Sequence, residues 1–245
     1  SIGSPHPQLG TALQPQALEG EPEATLMIRG YTTTSGQFAD GTGYLLRKPR
    51  YAVQGALLSQ FSVRLTPQLV GLGLLEAISE STILALADPE DADKDGISGR
   101  AQIVRDPETG QWRLGRFGYK AGQARLRHQV ASALNSDMGI TTTVFPKLDG
   151  AATAGSPEVT ASDLDHLVRY LSTLGVSARR DIENKQLLHG EELFTSALCS
   201  KCHVPRLPPG PHHPLAELRD QVIQPYTDLL LHDMGPGLAD NLDEH

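Results

Sequence analysis

The chain has 245 residues, with 21 basic and 29 acidic side chains and a net charge of −8, and it is lean in hydrophobic (39%) and aromatic (5%) residues. Its 24 glycines and 17 prolines exclude a coiled coil, a collagen and a regular helical bundle. The acidic balance excludes a general nucleic-acid binder, which carries a basic face. No run approaches the ~18 apolar residues needed to cross a bilayer.

Residues 1–23 carry Pro5, Pro7, Pro15 and Pro22 among polar residues and read as an irregular arm. Residues 24–34 and 43–53 are rich in β-formers and predict a hairpin or two extended strands, with Pro49 placing the second at an edge. Leu69, Leu72, Leu74, Leu75 and Ile78 suit a short buried helix within 61–79, where Gly71 and Gly73 either pack closely or break it. A second short helix is expected over 81–87. An acidic loop (88–99) and a hairpin follow, its strands at 101–106 and 111–117 turned by Asp106 to Gly110. Helices are predicted at 122–136, from a cap at Thr160 or Ser162 to about 174, and at 184–197. A loop covers 140–157, and a proline-rich loop follows at 204–214.

Both cysteines of the chain lie in one string, Cys199-Ser200-Lys201-Cys202-His203. Two cysteines three apart share one helix face, so both thiols reach the vinyl positions on one porphyrin edge. The following His203 can turn its imidazole under the iron. This is the pattern of c-type haem attachment. Leu193 and Phe194, on the helix leading in, would pack on the macrocycle. A redox dithiol is the first alternative, but such a pair usually follows a strand. A zinc site using Cys199, Cys202 and His212 or His213 is the second, with a weak ligand count.

These elements predict a mainly α protein with small β-hairpins. A loop-rich α/β region with the acidic loop is expected over 1–157. A cytochrome c-like helical haem-binding module, incomplete at its C-terminus, is expected over 158–245.

Several segments together resemble one family. They are Tyr44 to Pro49, Val70 to Ile78, Asp93 to Arg100, Gly115 to Ala121, Asp137 to Thr141, the cysteine string, and Tyr226 to Gly235. The chain resembles the di-haem oxidoreductases, relatives of the bacterial di-haem cytochrome c peroxidases and often labelled thiol oxidoreductases. The resemblance implies covalent haem c held by Cys199 and Cys202, with His203 as proximal iron ligand. It also implies electron transfer and peroxide reduction in a di-haem system, and a periplasmic or extracytoplasmic location. Family members carry two such strings and this chain carries one, so it is expected to be the middle of a longer protein. Its partners would be a second haem module or an electron donor or acceptor protein, with no nucleic acid and no membrane span. Two other readings stay open: a non-catalytic single-haem electron-transfer module, and a haem-free binding domain stabilised by calcium or zinc.

Asp91, Asp93 and Asp95, followed by Gly96, match the front half of a calcium loop, in which oxygen ligands alternate before a sharp turn. Gln102 stands where the bidentate acid belongs, so Ca²⁺ would draw a further carboxylate from Asp88 or Glu90. His232 and Met234 are candidate haem-pocket residues, favoured as lining rather than ligands, and Met138 is an upstream candidate. Arg100, Arg105, Arg113, Arg116, Lys120, Arg125 and Arg127 face only Asp106 and Glu108 within 100–127. They either neutralise haem propionates or line an inter-module contact, or form an ordinary charged surface. Tyr119 is a candidate electron relay between haems. His128, His166 and His189 are read as ordinary surface or core histidines.

Overall fold

β1 (Thr25–Gln37) and β2 (Gly43–Gln54) pair antiparallel from Thr25 opposite Gln54 to Gln37 opposite Gly43. Thr32, Thr33 and Thr34 supply the stiff β-branched side chains that favour extended backbone. The register shifts between Ile28 and Tyr31, and Pro49, which has no N–H to donate, pairs opposite Tyr31 just beyond that bulge. The computed structural model describes residues 10–17, 20–55, 58, 61–148, 155–208, 210–240 and 242. The first nine residues of the proline-bearing arm, residues 149–154 of the loop expected at 140–157, and Pro209 of the proline-rich loop lie outside these.

The hairpin corrects the expected fold class. At 13 and 12 residues, its strands match or exceed every helix but one in length, and the protein is not mainly α. Of the five α-helices among the described residues, α1 (Leu72–Ala77) and α2 (Glu80–Leu84) are a turn or so each. α3 (Leu126–Met138), α4 (Ala161–Ser172) and α5 (Lys185–Ser196) are the longer ones. The expected helical module fails for the same reason. After His203 the described residues form only a 3₁₀ turn at Ala216–Leu218 and the two-residue β6 (Leu231–His232). Pro205, Pro208, Pro211 and Pro214 remove the N–H donors that a helix there would need.

Local chemistry explains where the helices start and stop. The Ser79, Thr160 and Asn184 side chains accept from backbone N–H groups of the first turns of α2, α4 and α5. Gly139, left-handed at φ 66°, closes α3. Gly71 enters α1 at φ 79°. Gly73 lets α1 approach α4 closely, because a Cβ there would stand 2.2 Å from the Ser172 carbonyl oxygen.

Two apolar clusters carry the fold. Phe117, Leu126, Val130, Ala131, Val144 and Leu164 form one, drawing α3 and α4 together from either side of position 157. Ile78, Ile83, Leu114, Leu207 and Ile223 form the other, under the short hairpin β4 (Ile103–Arg105) and β5 (Trp112–Leu114). β6 pairs with β3 (Gly99–Arg100), which draws the Tyr226 to Gly235 segment against the end of the acidic loop.

Candidate functional site

α5 delivers the cysteine string. The helix stops at Ala197, and Leu198 turns left-handed at φ 62°. Cys199–Lys201 then form one 3₁₀ turn, closed by His203 N–H donating to the Cys199 carbonyl at 2.9 Å. Both thiols and the imidazole therefore come from one tight turn, and Cys199 is exposed.

A second segment comes back against this turn. Asp228 N–H donates to the Cys202 carbonyl at 3.0 Å. His203 Nδ1 lies 3.0 Å from the Tyr226 carbonyl oxygen, across 23 residues of sequence. A carbonyl only accepts, so Nδ1 carries the proton and the Nε2 lone pair is left for another partner. Tyr226 holds its carbonyl there from a left-handed φ of 51°, and Leu229 follows at 61°. A bulky side chain in this region costs about 1–2 kcal/mol, so packing around the string offsets that cost. Phe194 sits between the two segments, its ring 6.2 Å from the His203 ring and edge-on to Tyr226 at 5.8 Å.

Phe194 and Tyr226 also line an open pocket of about 1100 Å³. This is at the upper end of small-molecule sites, which run to about 1,000 Å³. Val70, Val176, Leu187 and Val222 line it while exposing apolar surface. Leu193 and Leu198, beside the string, are exposed as well. So much apolar surface around one turn marks a ligand or partner site. Arg179, Arg180 and Arg206 are the cations on its wall.

The other candidates are placed differently. His232 lies against Cys202, with Nδ1 4.0 Å from Sγ. Both of its ring nitrogens are engaged: Nδ1 donates to the Ser98 carbonyl at 3.0 Å, and Nε2 is 2.7 Å from the buried Asp228 carboxylate. Met234 is 66% exposed, Met138 65%, and neither lines the pocket. The zinc alternative loses His213, whose Nδ1 accepts from Leu215 N–H at 3.1 Å while Nε2 faces Glu76. Burial, and then the carboxylates of Asp228 and Asp95, push the Cys202 thiol up, the opposite of a reactive dithiol.

Asp91, Asp93 and Asp95 do converge, with one oxygen of each within 4.8 Å of the others. The counter-charge beside them is Lys201, from inside the cysteine string, whose Nζ is 2.9 Å from Asp95 and 3.7 Å from Asp93. The hydrogen bond from Lys201 is the main reason the Asp95 carboxyl is held below its ordinary range. The acidic loop and the string are thus tied together. Asp88 accepts from Ala92 N–H at 2.9 Å, and Glu90 faces Arg100.

The seven cations of 100–127 turn to the protein itself. Arg113 and Arg125 face the buried Asp106. Arg127 bridges to Glu108 and Asp165, Lys120 to Asp240. Arg105 donates to the Gly110 carbonyl and Arg100 to the Pro89 carbonyl. Arg116 is buried and donates from one nitrogen to the Leu75, Glu76 and Ile78 carbonyls at 3.2, 3.0 and 2.7 Å, capping the end of α1. His128 is fully buried beside Asp106 and Glu108, while His166 and His189 are exposed. Tyr119 stacks under the Arg64 guanidinium.

Sequence reasoning singled out neither the Tyr226 carbonyl nor Asp228 nor the three pocket arginines. No residue-type pattern marks a backbone acceptor, and the arginines come from two segments separated by α5.

A family model described as "Di-haem oxidoreductase, putative peroxidase" matches residues 58–154 and 147–245. The two segments together run from residue 58 to residue 245, well over half of the chain, and the chain belongs to the di-haem oxidoreductase family. No curated protein and no solved structure matches the chain. Membership implies haem as the cofactor. The residues present fit it: a free imidazole nitrogen, two thiols from the same turn, and an adjoining apolar pocket with cations on its wall.

Proposed function

We propose that the chain holds one covalent c-type haem, with Cys199 and Cys202 as thioether anchors and His203 Nε2 as the proximal iron ligand. The observation that carries this reading is the His203 Nδ1–H bond to the Tyr226 carbonyl. It fixes the tautomer and orientation that an iron-ligating histidine needs, as second-shell carbonyls commonly do. When bound, the haem supplies the one-electron chemistry, and the protein supplies ligation, burial and charge. With the ring seated, Phe194 and the apolar wall would cover it from water, which would raise the weight of each nearby charge.

The described residues lining the pocket include neither Met nor His. His232 has both ring nitrogens engaged and Met234 and Met138 are exposed, which favours an open iron position, and with it peroxide reduction, over a fully ligated relay. Electrons would come from a second haem module or a donor protein. A covalent c-type haem is ordinarily attached outside the cytoplasm, so the reading carries with it a periplasmic or other extracytoplasmic location. Described helices are too short and polar to cross a membrane.

Calcium at Asp91, Asp93 and Asp95 remains part of the reading, supported by their convergence. Lys201 already balances charge there, so a cation would have to displace it.

The test is to express the chain in a host that matures cytochromes c, record its spectrum, and stain a denaturing gel for haem. A Soret band and stained protein are expected, with a high-spin ferric spectrum that responds to peroxide. Six-coordinate low-spin iron inert to peroxide would convert the reading to a relay. Absence of haem beside a normally matured control would sink it and restore the metal-stabilised binding domain.

A further inference from the structure

The pocket beside the cysteine string is apolar along most of its wall, yet it carries three guanidinium groups that are not equivalent. Arg179 is taken: its Nη2 and Nη1 lie 2.9 and 3.3 Å from the two carboxylate oxygens of Glu191, a bidentate pair. Those hydrogen bonds raise the Arg179 pKa and lower that of Glu191. Arg206 adds the smallest contribution to the lowering of Glu191 and also lines the pocket. Among the described residues no hydrogen bond or ion pair engages the Arg180 or Arg206 side chain. They contrast with the seven cations of 100–127, each of which has a partner within the protein.

We propose that Arg206 and Arg180 receive the carboxylates of the group that fills this pocket, an apolar ring body bearing acidic tails. Resting on the haem reading above, these carboxylates are the haem propionates. A guanidinium presents a rigid planar fork that matches a carboxylate, and it is more weakly hydrated than an ammonium, so it suits an apolar wall. Arg179, already paired with Glu191, does not compete for the tails. The assignment moves propionate recognition from the arginine-rich centre, where the sequence places most cations, to two arginines on either side of α5. It also makes both positioning residues: they set where the ring edge lies and add positive charge beside it.

Positive charge near the ring disfavours the ferric state, which carries one more charge than the ferrous. Removing it therefore lowers the midpoint potential. The experiment compares wild type, Arg180→Gln/Arg206→Gln and Arg105→Gln, each matured with haem, by spectroelectrochemical titration and haem-stained denaturing gels. The double variant is expected to keep its covalent haem and to favour ferric iron about tenfold more than wild type, about 59 mV for one electron. Arg105→Gln, which removes a cation from the β4–β5 turn, is expected to titrate like wild type. The assignment is overturned if the double variant retains haem and titrates with wild type, or shifts no further than Arg105→Gln. If the wild-type chain retains no covalent haem, the haem reading itself fails, a result visible on the gel before any titration.

Discussion

The arginine-rich centre at 100–128 and the cysteine-bearing region at 184–232 are both dense in functional groups. In the centre, charge faces charge or a backbone carbonyl: Asp106, 1% exposed, sits under Arg113, Arg125 and His128. Around the cysteines, His203 keeps a free nitrogen, Arg206 has no hydrogen bond or ion pair among the described residues, and valine and leucine side chains face an open pocket. In the centre, Asp106 Oδ2, Arg113 Nε, Arg116 Nε and His128 Nδ1 are buried without a hydrogen bond, yet each charge faces an opposite charge or a carbonyl within the protein, and such pairing is architecture. Groups left without partners beside exposed apolar surface indicate something that binds there. Counting cations along the sequence points to the centre; asking which cations also border open apolar surface points to the pocket.

The sharpest way to break this contrast is Cys199→Ala with Cys202→Ala. We expect complete loss of gel-stable haem with the fold retained, read by haem staining and circular dichroism; undiminished staining would remove the site from this turn. The next largest effect belongs to the centre. Arg116→Met removes the donor to three carbonyls at the end of α1, and should lower stability by about 3 kcal/mol in urea unfolding while leaving haem staining of the folded protein unchanged. A change below about 0.5 kcal/mol would mean that the cap is idle.

A smaller effect is linked to pH. Burial raises the Asp240 carboxyl, but hydrogen bonds from Lys120 and Arg64 outweigh it and hold the group well below the ordinary carboxylate range. A depressed folded-state pKa stabilises fully above the unfolded value of about 3.9 and is lost as pH falls through the folded value. Wild type should therefore exceed Asp240→Asn in stability at neutral pH, by about 1 kcal/mol at most for such partly exposed pairs. The two should converge as the solution is acidified below pH ~4. A constant gap down to pH 2 would show that the carboxylate charge is irrelevant.

The smallest effect tests the link between the acidic loop and the string. Lys201→Gln leaves Asp93 and Asp95 without their ammonium, so Ca²⁺ should raise the melting temperature of this variant more than that of wild type. Equal shifts, or none, would show that Lys201 does not compete with a cation there.

Much of the local structure was legible. The Asp106 turn is drawn by its own chemistry: the Asp106 carboxylate accepts from Glu108 and Thr109 N–H, and Gly110 N–H returns to the Asp106 carbonyl. Thr160, one of the two expected caps, and the apolar period of α4 were readable in the same way, while the helix ends at Ser172, about two residues before its expected end. The overall balance was not. The β-forming runs at 24–34 and 43–53 were recognised, yet they extend into strands of 13 and 12 residues, while the prolines of 205–214 break the backbone after His203 and the described residues beyond it hold no α-helix. Extent depends on the partner strand and on the next proline, so a list of short helices overstated the α content.

The amino-acid sequence by itself determined the turns, the caps, the three-residue spacing of Cys199 and Cys202 with His203 beside them, and the convergence of alternate aspartates before Gly96. Each of these rests on groups within one or two turns of backbone, whose geometry follows from covalent structure and immediate neighbours. Only the tertiary structure decided that Tyr226 fixes His203, that Lys201 answers Asp95, and that Arg116 is a helix cap while Arg206 lines the pocket. Those pairings join residues far apart in the chain. They are set by which segments the two apolar clusters bring together, and nothing in residue type or spacing records that closure.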